Sequence, residues 1–439
     1  MFFQSARRRD RPDDDRRRGR IASEGKALHW PRPTVRPWLP SSARAAGAER
    51  GPAQGPAKPG AELRAGIGTA AFAFRGYDQT NLGRSPELLA HPVFGSIVRG
   101  VLDEASQVAT KAVGRPIDLA ARIEAQAPTS LESFAEDAAT IVAMELAQLA
   151  LLEQVFEVPV REARLSFGYS IGELSAVIVG GVYSLDQILP IPLGFAADCA
   201  ELAADTTMGV LFSRGSILHA EDVERLCTAV SSQGAGLIGP SAYLSPNTVL
   251  VIGQADTLDR LEPLIGEYLP PKTNLRRKPN HWPPLHTPLV WQKNIPNRTA
   301  MALYHVAGGM QKPKPTVLSC VTGSASYDEL NSRDLLIQWV DHPQRLWDVI
   351  YETLGVGIDL VVHVGPAPNL VPATFERLSN NVLKQMGNRY VKALGRGVAS
   401  SMNQHAWLAR LLPSKAALLR APFIAHIILE DWLLAQPLP

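Results

Sequence analysis

Ala163-Arg-Leu-Ser-Phe-Gly168-Tyr-Ser170-Ile-Gly172-Glu-Leu-Ser-Ala-Val-Ile-Val-Gly-Gly181 is the stretch on which the architecture of this chain turns. Residues 163–167 have the length and apolar content of a buried strand, and residues 173–181 read as helix. The pentapeptide Gly168-Tyr-Ser-Ile-Gly172 falls between them, so Ser170 sits on a sharp strand-to-helix turn. Such a turn exposes the hydroxyl and aims the Ile171 amide, at the start of the helix, at the same space. Glycines at 168 and 172 permit the tight backbone. The plainer reading is a Gly-Ser turn that only caps a helix, and the strand before and helix after argue against it.

Working outward, residues up to about Gly68 are rich in Arg, Pro, Ala and Gly with no periodicity, a composition expected to be disordered. Seven arginines, Arg7, Arg8, Arg9, Arg16, Arg17, Arg18 and Arg20, flank Asp13, Asp14 and Asp15 in a solvated run. From Thr69 the character changes: Ala70–Phe74 reads as a buried strand ending near Gly76. Helical signals follow at Pro86, over 93–105 and over 133–156. Between Met208 and about Lys278 the pattern is strand, helix, strand, strand, helix, strand, the order of a small ferredoxin-like unit. Strands then return at 316–321 and 360–364, with a largely helical 335–354 between them.

The fold class is therefore α/β, a hydrolase-like parallel-sheet core with an inserted ferredoxin-like small subdomain. The expected organisation is an extension over 1–68, a large subdomain over 69–205 and 279–391, the small subdomain over 206–278, and a helical extension over 392–439. Within that extension, 421–434 reads as an amphipathic helix interrupted by His426, Glu430 and Asp431, too short and too charged to span a bilayer.

Composition excludes more than it identifies. The 439 residues carry 44 Lys+Arg against 42 Asp+Glu, a formal charge of +2, which gives no electrostatic case for nucleic acid as a partner. Three scattered cysteines, Cys199, Cys227 and Cys320, suit neither a disulfide framework nor a zinc site, so a reducing cytoplasm is the expected compartment. The N-terminus lacks the order of a secretory signal.

A serine hydroxyl is a poor nucleophile at neutral pH and needs a base within hydrogen-bond reach, together with donors for the oxyanion formed on attack. Ten histidines compete for the base role. His363 lies inside a strand and reads as a core residue. His286, in Leu285-His-Thr-Pro-Leu289, sits where the chain leaves the small unit, so a loop can deliver it to Ser170; residues alone leave the choice open.

Phe74-Arg-Gly76, Gly168-Tyr-Ser-Ile-Gly-Glu173-Leu-Ser-Ala176, His286-Thr-Pro-Leu289 and Val364-Gly-Pro366 occur in an order and spacing that resemble the malonyl-CoA:acyl-carrier-protein transacylase family. The acyltransferase domains of polyketide synthases share the pattern, and the resemblance runs from about Thr69 to Asn380. It implies a Ser170–His286 dyad whose imidazole is oriented by a backbone carbonyl, assigned to Gln338 in a stretch whose spacing is one residue off the family pattern. It implies Tyr77 as the second oxyanion amide beside Ile171, at a position where the family usually has glutamine.

Two positions depart from the family in the expected acyl pocket. Phe195, 25 residues past the serine (195 − 170), stands where malonyl-transferring members carry an arginine. Leu244 stands where asparagine is usual. An apolar group cannot answer a planar carboxylate as a guanidinium does. Either another arginine serves, Arg75, Arg84, Arg276 or Arg277 being available, or the acyl group is uncharged.

The resemblance implies a ping-pong transfer from acyl-CoA to an acyl carrier protein through an acyl-serine. No metal or redox cofactor is called for, since CoA is a substrate and phosphopantetheine belongs to the partner. A monomer is the default expectation. Two other readings compete: an α/β-hydrolase esterase or thioesterase whose histidine would be His342 or His363, and a non-catalytic scaffold that binds a carrier protein.

Overall fold

A computed structural model describes residues 60–393, 406–412 and 415–437. Two sheets organise it. The larger has the order β7-β2-β1-β8-β9, with β1 Ala70–Phe74, β2 Leu165–Gly168, β7 Thr316–Leu318, β8 Leu360–Val364 and β9 Ala425–Ile428. Every neighbouring pair in it is parallel. Helices cover both faces, which is why β1, β2 and β8 are buried along their whole length and are largely apolar, with Ser166 and His363 as their polar residues.

The smaller sheet is antiparallel, in the order β4-β5-β3-β6, with β3 Thr206–Ser213, β4 Ile238–Ser245, β5 Thr248–Gln254 and β6 Thr273–Lys278. Helices Ala220–Ser231 and Thr257–Tyr268 join its strands and pack on each other. In strand numbers within the unit, the order is 2-3-1-4, the ferredoxin-like arrangement expected for 206–278.

In the large sheet β1 pairs with β2 and β8 in register, Phe74 standing opposite both Gly168 and Val364. All three strands therefore end at one edge. The loops that follow, Arg75-Gly-Tyr77, Tyr169-Ser170 and Gly365-Pro366, emerge together, the place where open parallel sheets bind ligands. Helix Phe134–Gln154 runs beneath them. It is apolar nearly all round and buried, as such a helix must be, but it carries Glu145 and Gln148 toward the loops. Glu145 accepts from the Arg75 amide at 2.8 Å and from Ser175 Oγ at 2.5 Å, and Gln148 accepts from the Gly365 amide at 2.8 Å.

Two boundary expectations are corrected. Of the extension expected to be disordered, residues 1–59 lie outside the described residues, but 60–68 are ordered. Ala61–Gly66 is helical, and Leu63 and Ile67 are buried in the main core. At the other end, 421–434 is not one helix. The 3-10 helix Ala416–Phe423 ends at its start, residues 425–428 form β9, added in parallel to β8, and the α-helix is confined to Leu429–Ala435. The apolar run there fills a sheet edge, a job a helix cannot do. Glu430 then secures the segment by accepting from the amides of Arg84 and Ala367, each at 2.9 Å. Among the described residues no helix is long and apolar enough to cross a membrane.

Candidate active site

The turn at 168–172 is made of close approaches. A Cβ on Gly168 would meet the Gly172 carbonyl carbon at 2.0 Å, and one on Gly172 would meet the Arg75 carbonyl oxygen at 2.3 Å. Ser170 between them has a left-handed backbone, φ 56°. Its amide donates to the Gln344 Oε1 at 3.1 Å, and its carbonyl accepts from the Trp339 indole at 3.0 Å. The serine is thus gripped by the side chains of Trp339 and Gln344, and the residue is half-buried.

Ser170 Oγ lies 2.8 Å from His286 Nε2. The histidine is buried, also on a left-handed backbone with φ 65°, and its amide donates to the Val340 carbonyl at 2.8 Å. Its Nδ1 is 2.6 Å from the Trp339 carbonyl oxygen. A carbonyl can only accept, so Nδ1 carries the proton and Nε2 is left free to accept from Ser170, the tautomer a general base needs. Burial pulls the imidazole pKa down to about 4, against the smaller opposing effects of the Trp339 carbonyl and the Asp341 carboxylate.

The orienting carbonyl is that of Trp339, not Gln338. Helix Ser332–Trp339 ends here, and the last carbonyls of a helix lack intrahelical donors. The Gln338 carbonyl is already taken, accepting from the His342 amide at 2.9 Å. Trp339 and Val340 are the next two acceptors along the chain, and His286 uses both.

Ile171 and Tyr77, expected as oxyanion amides, lie just past the ends of β2 and β1. Neither backbone N–H has an acceptor among the described residues. The Tyr77 ring packs edge-on against Phe134, centroids 5.0 Å apart, and against Trp282 at 5.4 Å. Phe195 is buried in the same apolar cluster as Ile171 and Leu285, and Tyr77 packs against that cluster. Leu244, half-buried in β4, packs with Tyr169 against the second cluster.

Three of the four arginines considered as replacements are committed to other partners, and the fourth is exposed on β6. Arg75 is fully buried and spends its guanidinium on Gly76 O, Pro366 O, Thr80 O and Asn81 Oδ1. It fastens the β1 and β8 loops together. Arg84 pairs with Glu87 and Asp431, Arg277 pairs with Asp259 and Glu262, and Arg276 is exposed on β6.

The competing histidines are elsewhere. His342 is paired with Asp341, and His363 lies in β8 with its Nε2 2.9 Å from His426 Nδ1. Neither reaches Ser170, which removes the histidine an esterase order would require. Glu173, in the helix after the turn, is buried and accepts from Ser319 Oγ at 2.6 Å, Tyr327 OH at 2.8 Å and the Cys320 amide at 3.0 Å. It moors that helix to the end of β7. Among the described residues no three of His, Cys, Asp and Glu converge so as to hold a metal ion.

The fold so assembled is that of the malonyl-CoA:acyl-carrier-protein transacylases. FabD from Acinetobacter baumannii superposes with a TM-score of 0.56 at 20% identity, covering 69% of this chain and 88% of that one. The malonyl-CoA-acyl carrier protein transacylase of Clostridium perfringens gives 0.56 at 18% identity over 75% of this chain and 100% of its own. A malonyl-transacylase bound to its type II polyketide-synthase acyl-carrier protein gives 0.52 at 20% identity, covering 70% and 91%.

In sequence, the chain is similar to the polyketide synthase GfsA of Streptomyces halstedii, 25% identical over 311 residues. That match takes in 69% of this chain but only 4% of the synthase, so the chain spans a small fraction of the curated relative it resembles. No protein-family model matches the chain.

Proposed function

We propose that the chain is a serine acyltransferase that moves an acyl group from CoA to the phosphopantetheine thiol of an acyl carrier protein. One observation carries the proposal: a Ser170 hydroxyl 2.8 Å from a neutral, Nδ1-protonated His286, on a loop edge where the Ile171 and Tyr77 amides have no acceptor among the described residues. His286 takes the hydroxyl proton as Ser170 Oγ attacks the thioester carbonyl. The amides of Ile171 and Tyr77 accommodate the oxyanion, and the imidazolium returns its proton to the departing CoA thiolate. The carrier's thiol then attacks the acyl-serine and the same proton path runs in reverse. Hydroxyl, base and donors suffice, so the reaction asks for no metal or redox cofactor. Water must be excluded while the acyl-serine exists, or the same groups hydrolyse it.

The acyl group proposed is uncharged. Phe195 and Leu244 replace polar residues, and the arginines at 75, 84 and 277 are engaged elsewhere. A carboxylate entering such a site without a partner would lose its hydration uncompensated. The test is intact mass after brief exposure to malonyl-CoA, acetyl-CoA and longer acyl-CoAs in parallel, with Ser170→Ala as control. The expected result is an adduct from the uncharged donors that Ser170→Ala lacks. A malonyl adduct as abundant as the acetyl one would sink the uncharged assignment, and folded protein with no adduct from any donor would favour the scaffold reading.

A further inference from the structure

Gln344 belongs to no motif, yet it is the residue through which the small subdomain touches the dyad. Its backbone is stitched to β4 in both directions: its amide donates to the Ser241 carbonyl at 2.9 Å, and its carbonyl accepts from the Tyr243 amide at 2.8 Å. Its side chain is fully buried and reaches the other way. Oε1 accepts from the Ser170 amide, which fixes the orientation of the carboxamide and turns Nε2 toward the imidazole, 3.2 Å from His286 Nδ1.

That contact contains a conflict. Nδ1 must carry its proton to satisfy the Trp339 carbonyl, and then it cannot accept from Gln344. No other acceptor near Gln344 Nε2 exists among the described residues. Two N–H donors therefore face each other between two buried side chains. The imidazolium suffers most, because its added positive charge meets the positive end of the carboxamide dipole.

We infer that Gln344 is a positioning residue of the dyad. It holds Ser170 through the backbone amide and, by presenting a donor to Nδ1, disfavours the imidazolium, so that His286 stays a neutral base and gives up its proton readily to the leaving thiolate. This inference rests on the Ser170–His286 reading above. The remaining groups around the ring are the Trp339 carbonyl and indole and the Asp341 carboxylate, which is itself bonded to His342 and to the Trp291 indole.

The test is the rate at which a fluorophosphonate labels Ser170, followed by mass across the pH range in which circular dichroism stays native. In that reaction the Oγ–P bond forms as P–F breaks, and His286 takes the hydroxyl proton. Gln344→Glu keeps an acceptor for the Ser170 amide but replaces the donor at Nδ1 by a carboxylate. The midpoint of its pH–rate profile is expected to rise by about one to three pH units, with near wild-type rates above it. Gln344→Met keeps the volume and loses both contacts, and its labelling at neutral pH is expected to fall at least about ten-fold. A midpoint unmoved in Gln344→Glu, or wild-type labelling in Gln344→Met, overturns the inference. Wild-type protein labelled no faster than Ser170→Ala overturns the dyad reading itself, and this one with it.

Discussion

Gly172→Ala is a single-methyl test of how the two proposed oxyanion amides, Ile171 and Tyr77, are held in register. A Cβ at 172 would lie 2.3 Å from the Arg75 carbonyl oxygen, 2.8 Å from the Phe74 carbonyl carbon and 2.9 Å from the Phe74 Cβ, and ordinary contact begins near 3.4 Å. The shortfall against Arg75 is 3.4 − 2.3, about 1 Å, and the obstructing atoms belong to the end of β1 and cannot rotate away. Either the turn or the β1 loop must retreat by that distance. Arg75 is two residues before Tyr77 and Gly172 is one after Ile171, so the retreat separates the two amides. Misplacement of about 1 Å can cost about 100-fold in rate, whereas overpacking of this kind costs about 1–3 kcal/mol of stability. The expected variant is folded, melts lower, and forms acyl-serine about 100-fold more slowly in a quenched-flow mass assay. Acylation at the wild-type rate in a folded Gly172→Ala protein would refute the assignment of the hole to these two loops.

Acylation by wild-type protein should hold its neutral-pH rate down to about pH 5 and halve near pH 4, because burial keeps His286 unprotonated until then. A histidine at the usual 6.5 would be only about 3% neutral at pH 5, so an acid limb near 6.5 in the pH–rate profile contradicts the buried-base geometry. Glu145 is pushed up to about 8 by burial, so the folded chain keeps a proton there that the unfolded chain has lost. The stability this proton lends is complete below about pH 4.5 and is lost as pH rises through 8. Glu145→Gln mimics the protonated form, and its melting temperature should gain on wild type between pH 5 and pH 9; a difference independent of pH would refute the protonated carboxyl.

What could be read in advance was whatever the chain writes in side chains or periodicity. The turn around Ser170 is announced by two glycines between a strand-like and a helix-like run, and the ferredoxin-like unit by six elements in order. His286 is one histidine among ten, and only the four motifs taken together single it out. The orienting carbonyl was assigned one residue early, at Gln338, because a backbone acceptor has no side-chain signature; its address is set by where helix 332–339 runs out of donors. Gln344 was missed for a different reason. Its role depends on a bridge to β4, about a hundred residues distant in sequence, and nothing local marks it. Residues 60–68 were averaged into the composition of the arm before them, although Leu63 and Ile67 are core residues. β9 is four residues long, too short for period two to be told from a helical apolar run.

Both residues of the proposed dyad, Ser170 and His286, occupy left-handed backbone that side-chain-bearing residues adopt at a cost. They lie on separate loops, so the fold bears that cost twice, at the two positions where a hydroxyl and an imidazole are wanted. Glycine would relax either position, and a chain released from the need to turn over substrate would have a downhill route to losing both residues by drift. Five other non-glycine residues among those described, Gln126, Glu157, Ala255, Lys272 and Asn294, share this backbone, so what sets the two positions apart is that their side chains meet at 2.8 Å.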